Sequence, residues 1–389
     1  MATPCSGDDD RACGLQNGGD DSGKRDYGNE DGSIMVPLTG SEFSSVYDND
    51  GMGKALDGFA GQCEEAIGIV ESFSLEGLDD VKNIVVCGMG GSAMAGDIAG
   101  RFARIPVYIS RNYTVPPFLG KRSLLVAISY SGNTAESLSA FDRGIDKCGV
   151  ALCISSGGEL ARRAEDRGVA LVKIPSGYQP RAAMGYLALP LIALLSRVGV
   201  LREGIGFDGL YDELEKVRVR CGISAPAERN EAKSIAGAMA RRIPLIYGTS
   251  GNTDLVAMRW KTQVNENAKQ AAFWNVFPEL NHNEIVSLTK PHMVKNTVTV
   301  MLTNSHDLPE NLDRMSIMKN LLAERDIPVI EACAGEANEL SEVLAQIYLG
   351  DYVSYYLALL NEVDPSPVAL IEGFKRELAR KTDERRGAH

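Results

Sequence analysis

From Asp80 onward the sequence is built of short apolar runs, each ending on a glycine- or serine-rich turn and passing into a helical pattern, and that repeat leaves little choice of fold. Ile84-Val85-Val86-Cys87 reads as a buried strand, stops at Gly88-Met89-Gly90-Gly91, and gives way to helical spacing over Ser92–Ala103. Leu124–Ile128 is a second strand, ending at Ser129-Tyr130-Ser131-Gly132-Asn133-Thr134 before a helical Ala135–Lys147. Val150–Ile154 and Val169–Ile174 continue the series with a helix over Glu159–Asp166 between them. The rhythm resumes at Pro244–Tyr247, the turn GTSGNTD and a helix to about Lys269. Strands at Val298–Leu302 and Pro328–Ile330 and helices at Asn338–Leu360 and Pro367–Ala379 complete it. Strands alternating with helices predict parallel sheets whose ligands bind at the carboxyl ends of the strands. The expected fold class is α/β: two doubly wound parallel-sheet, flavodoxin-like domains plus a C-terminal helix.

The boundaries follow from composition. Residues 1–43, rich in Gly, Asp, Ser and Asn, lack apolar periodicity and are expected to be a disordered acidic extension. A first domain is expected over 44–203, a linker with helix over 204–228, a second domain over 229–361 and the C-terminal helix over 362–389. The chain has 389 residues and is 44% hydrophobic, enough to bury a substantial core. Its net charge of −12 excludes the Lys/Arg surplus that a phosphate backbone requires, so no nucleic-acid partner is expected. Eleven Asp/Glu against three Lys/Arg in residues 1–50 carry most of that charge, so the folded remainder is close to neutral. Eight scattered cysteines with no Cys-x-x-Cys pair read as buried reduced thiols. The most apolar run, Tyr186–Val200, is interrupted by Pro190 and Arg197, and nothing resembles a signal peptide, so no membrane partner and a cytoplasmic location are expected.

Two loops carry the functional signal. A phosphate needs several converging donors, and glycines opening a helix supply free N–H groups and a favourable dipole. Gly88, Gly90, Gly91 and Ser92 meet that need; Ser129, Ser131 and Thr134 add hydroxyls at the end of a neighbouring strand, and Gly132 permits close backbone approach. Each loop alone has an ordinary explanation, a βα turn for the first and helix capping by Ser131 or Thr134 for the second. Gly88-x-Gly90-x-x-Ala93 also fits a dinucleotide fingerprint, which wants an acidic residue about twenty positions on. That region reads VYISRNY and carries Arg111, which disfavours a nicotinamide cofactor while leaving its phosphorylated form open. No Walker Gly-Lys-Ser/Thr is present.

The segments GMGGSAMAGD, SYSGNTAES, QPRAAMGYLALP, RWKTQVNENAK with PELNHNEI, and IEGFKREL together resemble the bifunctional phosphoglucose/phosphomannose isomerases, within the sugar isomerase domain proteins. Generic sugar isomerase domains share only the first two segments, so the other three make the resemblance specific. It covers most of the chain from about Ser45; the acidic extension is longer than the family usually shows.

The resemblance implies interconversion of glucose 6-phosphate or mannose 6-phosphate with fructose 6-phosphate, in a homodimer with shared sites and with no cofactor or metal. It places Gly90, Gly91, Ser92, Ser129, Ser131 and Thr134 on the phosphate and makes Glu266 the base between C1 and C2. It assigns His282, given by the partner, and Lys375 to ring opening, and Arg181 to the enediolate. The chemistry suits these residue types: one carboxylate can take a proton from one carbon and return it to the next, and a guanidinium stabilises the enediolate as it forms. The four histidines, His282, His292, His306 and His389, form no metal-binding pair at helical spacing. The loop Gly248–Thr253 looks like another anion site, serving substrate positioning or turn formation. The rivals are a single-activity phosphoglucose isomerase, an amino-sugar-phosphate or heptose-phosphate isomerase, and a non-catalytic sugar-phosphate sensor; a sensor acting as a regulator would carry a DNA-binding helix and a basic surface.

Overall fold

The computed structural model describes residues 46–333 and 337–387; the expected acidic extension 1–43 lies outside them. The described strands form two parallel sheets. The first has β1 (Asn83–Cys87), β2 (Val107–Ser110), β3 (Ser123–Ile128), β4 (Val150–Ser155) and β5 (Ala170–Lys173) in the order β2-β1-β3-β4-β5. The second has β6 (Ile243–Thr249), β7 (Phe273–Phe277), β8 (Thr297–Thr303) and β9 (Val329–Cys333) in the order β7-β6-β8-β9. Both repeat the flavodoxin-like order, with the switch point between the first and third strands. In the first sheet the register Cys87↔Ala127 brings the loops after β1 and β3 side by side at that point. The α/β class with parallel sheets read from the sequence is the class observed.

Strands β3 and β8 are buried almost throughout because helices cover both sheet faces. The edge strand β7, FWNVF, was not anticipated. It leaves Phe273 and Trp274 exposed, so it shows neither the continuous burial of a central strand nor a clean alternation.

The helices, in chain order, are α1 (Met52–Asp57), α2 (Phe59–Ile69), α3 (Gly90–Phe102), α4 (Ala135–Gly144), α5 (Gly158–Asp166), α6 (Met184–Arg197), α7 (Leu210–Cys221), α8 (Glu231–Met239), α9 (Asp254–Asn267), α10 (Pro309–Ala323), α11 (Glu339–Leu360) and α12 (Ala369–Gly387). Two of them form the centre of the core. Helix α6, the apolar run flagged in the sequence, is buried from Met184 to Leu195 and continues through Pro190 against α2 and α3. Helix α11 is buried from Leu340 to Leu359 and packs on α7, α8 and α9. It is apolar and long enough to cross a bilayer, but almost all of that stretch lies inside the protein.

A helix buried all round must satisfy every polar group it carries. On one side Tyr348 donates to the Leu56 carbonyl and Tyr352 to Asp57 Oδ1, each at 2.6 Å, fastening the N-terminal helices. On the other, Trp260 of α9 donates to the Gln346 carbonyl at 2.8 Å. Gly350 faces that indole, and a Cβ there would lie 2.1 Å from Trp260 Nε1.

Beside it runs a polar seam. Arg259 and Asp351, each 2% exposed, pair through two hydrogen bonds of 3.1 and 2.9 Å, and Gln263 Nε2 donates to the same carboxylate at 2.8 Å. Burial pushes the Asp351 carboxyl up, and the Arg259 guanidinium opposes it. Removing one partner of such a pair leaves an uncompensated charge, so Asp351→Ala should cost about 3–5 kcal/mol in urea unfolding. Arg259→Met combined with Asp351→Leu should cost less than Asp351→Ala alone.

Candidate functional site

The two loops of the first sheet meet as the sequence suggested. Met89 ends the turn after β1, and α3 starts at Gly90, whose φ of +51° suits glycine. Gly90 is exposed, Gly91 half-buried and Ser92 buried. The first amides of a helix have no acceptor inside it, so this end presents donors at the switch point.

After β3, Ser129 Oγ donates to Thr134 Oγ1 at 3.1 Å. Thr134 occupies the N-cap position of α4, yet no side chain caps that helix, so the capping explanation for this loop does not hold. Ser131 is exposed, and its Oγ accepts from the Asn133 amide at 3.3 Å. Gly132 has φ +70°, and a Cβ on it would stand 1.9 Å from the Gly157 carbonyl. The loop is thus seated on its neighbour by a contact that only glycine permits. Arg111, which kept a phosphorylated dinucleotide open, is instead bonded to Asp97. Burial pushes the Asp97 carboxyl up to about 6 against the pull of Arg111.

The same position in the second sheet is filled from within. Asp307, from the loop after β8, accepts from Thr249 Oγ1 and, at 2.8 Å, from Asn252 Nδ2; its other oxygen accepts from the Asn304 amide at 2.9 Å. A carboxylate of the chain therefore occupies the anion-like loop Gly248–Thr253.

Arg181 lies in the 3₁₀ turn Pro180–Ala182 ahead of α6 and is 5% exposed. Its Nε donates to Asn267 Oδ1 at 2.5 Å, and Nη2 donates to the carbonyls of Pro365 and Ser366 at 2.5 and 2.7 Å. Its remaining nitrogen, Nη1, stands 3.9 Å from Glu266 Oε2 in the last turn of α9. Burial lowers the Arg181 pKa, while the Glu266 charge opposes that shift. Asn267 is itself held, its Nδ2 donating to Ser354 Oγ at 2.9 Å, and Arg259 Nη2 donates to the Arg181 carbonyl at 2.6 Å. The seam between α9 and α11 thus fixes both the backbone and the side chain of Arg181.

The structure brings Arg181 to Glu266, and Ser129 to Thr134. It does not bring His282 or Lys375 to them. His282 is exposed in the turn Glu279–His282 after β7, and Lys375 is exposed on α12. Uncovered apolar side chains lie on α12, where Leu370 and Phe374 are 91% and 70% exposed, and at the start of β7, where Phe273 is 58% exposed.

Sequence reasoning did not single out Arg259, Gln263, Asn267 and Lys269, although all lie in RWKTQVNENAK. The first three follow at i, i+4 and i+8 and are all buried, a polar stripe at helical spacing that was readable. Lys269 Nζ donates to the carbonyls of Glu266 and Pro365 at 2.8 and 3.0 Å. Desolvation, aided by the Arg181 charge, brings its pKa down to about 8 against the pull of Asp364 and Glu266.

Comparison with known proteins gives this site its family. The sequence profile described as "Bacterial phospho-glucose isomerase C-terminal SIS domain" matches residues 228–378. A bifunctional phosphoglucose/phosphomannose isomerase of Caldicellulosiruptor bescii is 39% identical over 314 residues, 78% of this chain and 92% of the relative. One from Aquifex aeolicus is 34% identical over 329 residues, 81% and 98% of the two chains. Among solved structures, a hypothetical protein from Thermus thermophilus superposes with a TM-score of 0.66 at 16% identity, covering 88% of this chain and 92% of that one, a likeness of fold. Being 39% identical to the first of these relatives across the aligned 78% of its length and 92% of the relative's, this chain belongs to the bifunctional phosphoglucose/phosphomannose isomerase family.

Proposed function

We propose that this chain interconverts glucose 6-phosphate or mannose 6-phosphate with fructose 6-phosphate through an enediolate. The observation that carries the reading is the approach of Arg181 Nη1 to Glu266 Oε2, two buried or half-buried groups from different halves of the chain. The names of the relatives support the substrate class.

On this reading the substrate phosphate rests on the Gly90, Gly91 and Ser92 end of α3 and on the hydroxyls of Ser129, Ser131 and Thr134. Glu266 takes the proton from C2 of the open-chain aldose, and the electron pair becomes the C1–C2 double bond of the enediolate. Return of that proton to C1, with the hydroxyl proton passing between O1 and O2, gives the ketose. Arg181, already desolvated and locked by three hydrogen bonds, needs no reorganisation to meet the developing charge. His282 and Lys375 open the sugar ring, and they reach the base when a second copy covers the uncovered apolar surfaces of β7 and α12. The functional unit is therefore a homodimer with shared sites.

In a chelating buffer the protein should convert fructose 6-phosphate to both aldose phosphates, and Glu266→Gln should lower both rates about 10²–10⁴-fold while still binding the sugar phosphate. Full turnover by that variant would remove Glu266 as the base. A second test addresses the shared site. Glu266→Gln and His282→Ala chains, each inactive alone, should regain about a quarter of the wild-type rate after subunit exchange, because each mixed dimer holds one intact site. No recovery in a mixture shown to contain mixed dimers would place His282 in the same chain's site.

A further inference from the structure

Lys269 follows α9 by two residues and has a φ of +54°, a left-handed conformation uncommon for any residue but glycine. Its neighbours hold it there. Asn361 Nδ2 donates to the Ala268 carbonyl and to Gln270 Oε1, each at 2.9 Å, and Asn265 Nδ2 donates to the Gln270 carbonyl at 2.8 Å. Gln270 Nε2 in turn donates to the carbonyls of Met239 and Arg242 at 3.1 and 2.7 Å. Bonds from α9 itself, from the end of α8 and the turn after it, and from the end of α11 thus impose this backbone, and strain of that kind is kept where the surroundings over-determine it.

The side chain this turn presents reaches both sides of the site. Its ammonium bridges the Glu266 carbonyl and the Pro365 carbonyl, and the latter also accepts from Arg181 Nη2. Two residues past Pro365 comes Pro367, and then α12, which carries Lys375. We propose that Lys269 is a positioning residue, tying the main chain of Glu266 to Pro365 and so setting both the reach of Arg181 and the exit of the segment that bears Lys375. The inference rests on the isomerase reading of Glu266 and Arg181.

The charged groups facing the ammonium are Arg181 from the turn before α6, Glu266 from its own helix and Asp364 from the segment after α11. The two carboxylates favour the charged form; burial and Arg181 oppose it, which is why the lysine titrates near 8 rather than in the ordinary lysine range. The tie is complete at neutral pH, where the ammonium is charged, and weakens as pH rises through about 8.

The test is the pH profile of kcat and KM for fructose 6-phosphate in wild type, Lys269→Met and Lys269→Arg. Wild type should lose kcat on an alkaline limb near pH 8. Lys269→Arg, which stays charged, should keep most of its kcat and move that limb up by more than about one unit. Lys269→Met should lose about tenfold or more in kcat at pH 7, with KM little changed because the phosphate loops are untouched, and should lack the limb. A separate readout needs no turnover: hydrogen exchange of the peptide spanning 366–375 should be faster in Lys269→Met than in wild type. A Lys269→Met profile that superposes on an active wild type would overturn the proposal, and so would a limb that stays in place in Lys269→Arg. Wild type inactive on hexose 6-phosphates would instead overturn the isomerase reading, and the exchange of 366–375 would then decide the tie by itself. If Lys269→Met does not fold, the limb in Lys269→Arg decides.

Discussion

The buried pair of Arg259 and Asp351 is the interaction on which the rest of this site depends. Such a pair is a poor way to gain stability, because stripping water from both charges offsets most of their attraction. What it provides here is geometry. Arg259 spends one nitrogen on Asp351 and on the carbonyl of Arg181, a residue from the first half of the chain. Asn267, two turns further along the same face, holds the side chain of that arginine and is itself held by Ser354, three residues past Asp351. An apolar seam between α9 and α11 would pack equally well but could not tell Arg181 where to stand.

The two halves share a topology and differ in what occupies the switch point. In the first, the loops after β1 and β3 leave helix amides and hydroxyls available. In the second, Asp307 crosses from the loop after β8 and satisfies Thr249, Asn252 and the Asn304 amide. A loop already satisfied by a carboxylate gains little from a phosphate, which would have to displace it. The sequences GMGGS and GTSGNTD look alike as anion turns; their difference lies more than fifty residues away, in Asp307.

That example shows where legibility ends. The strands β1, β3, β4 and β8 were readable because a buried parallel strand is an apolar run bounded by turns, and α11 because a predominantly apolar run of that length has few alternatives to a buried helix. Strand β7 was not, since FWNVF is an edge segment with two exposed aromatics. Nor was α10 singled out, although Asn311, Met315, Met318 and Leu322 follow helical spacing on its buried side. In the site, the loop residues were legible because glycines and hydroxyls at a helix start form a local pattern, which the proposed phosphate role draws on. Lys269 was not, because what distinguishes it is a left-handed backbone and a carbonyl almost a hundred residues away.

On the proposed mechanism the groups divide by rigidity. The base sits on α9 and the enediolate partner in the turn that opens α6, both fixed by the core, whereas the ring-opening groups sit on the turn after β7 and on α12, at the periphery. Proton transfer between adjacent carbons tolerates little misplacement, so its residues belong on the most constrained elements. Ring opening must admit a bulky cyclic sugar and then enclose it, which favours groups that arrive with a second surface. The uncovered Leu370 and Phe374 lie on α12 itself, and the uncovered Phe273 at the start of the strand that leads to the His282 turn. Burying them against a second copy would close the site in the step that buries apolar surface, so association and exclusion of water from the enediolate would be driven by one free energy.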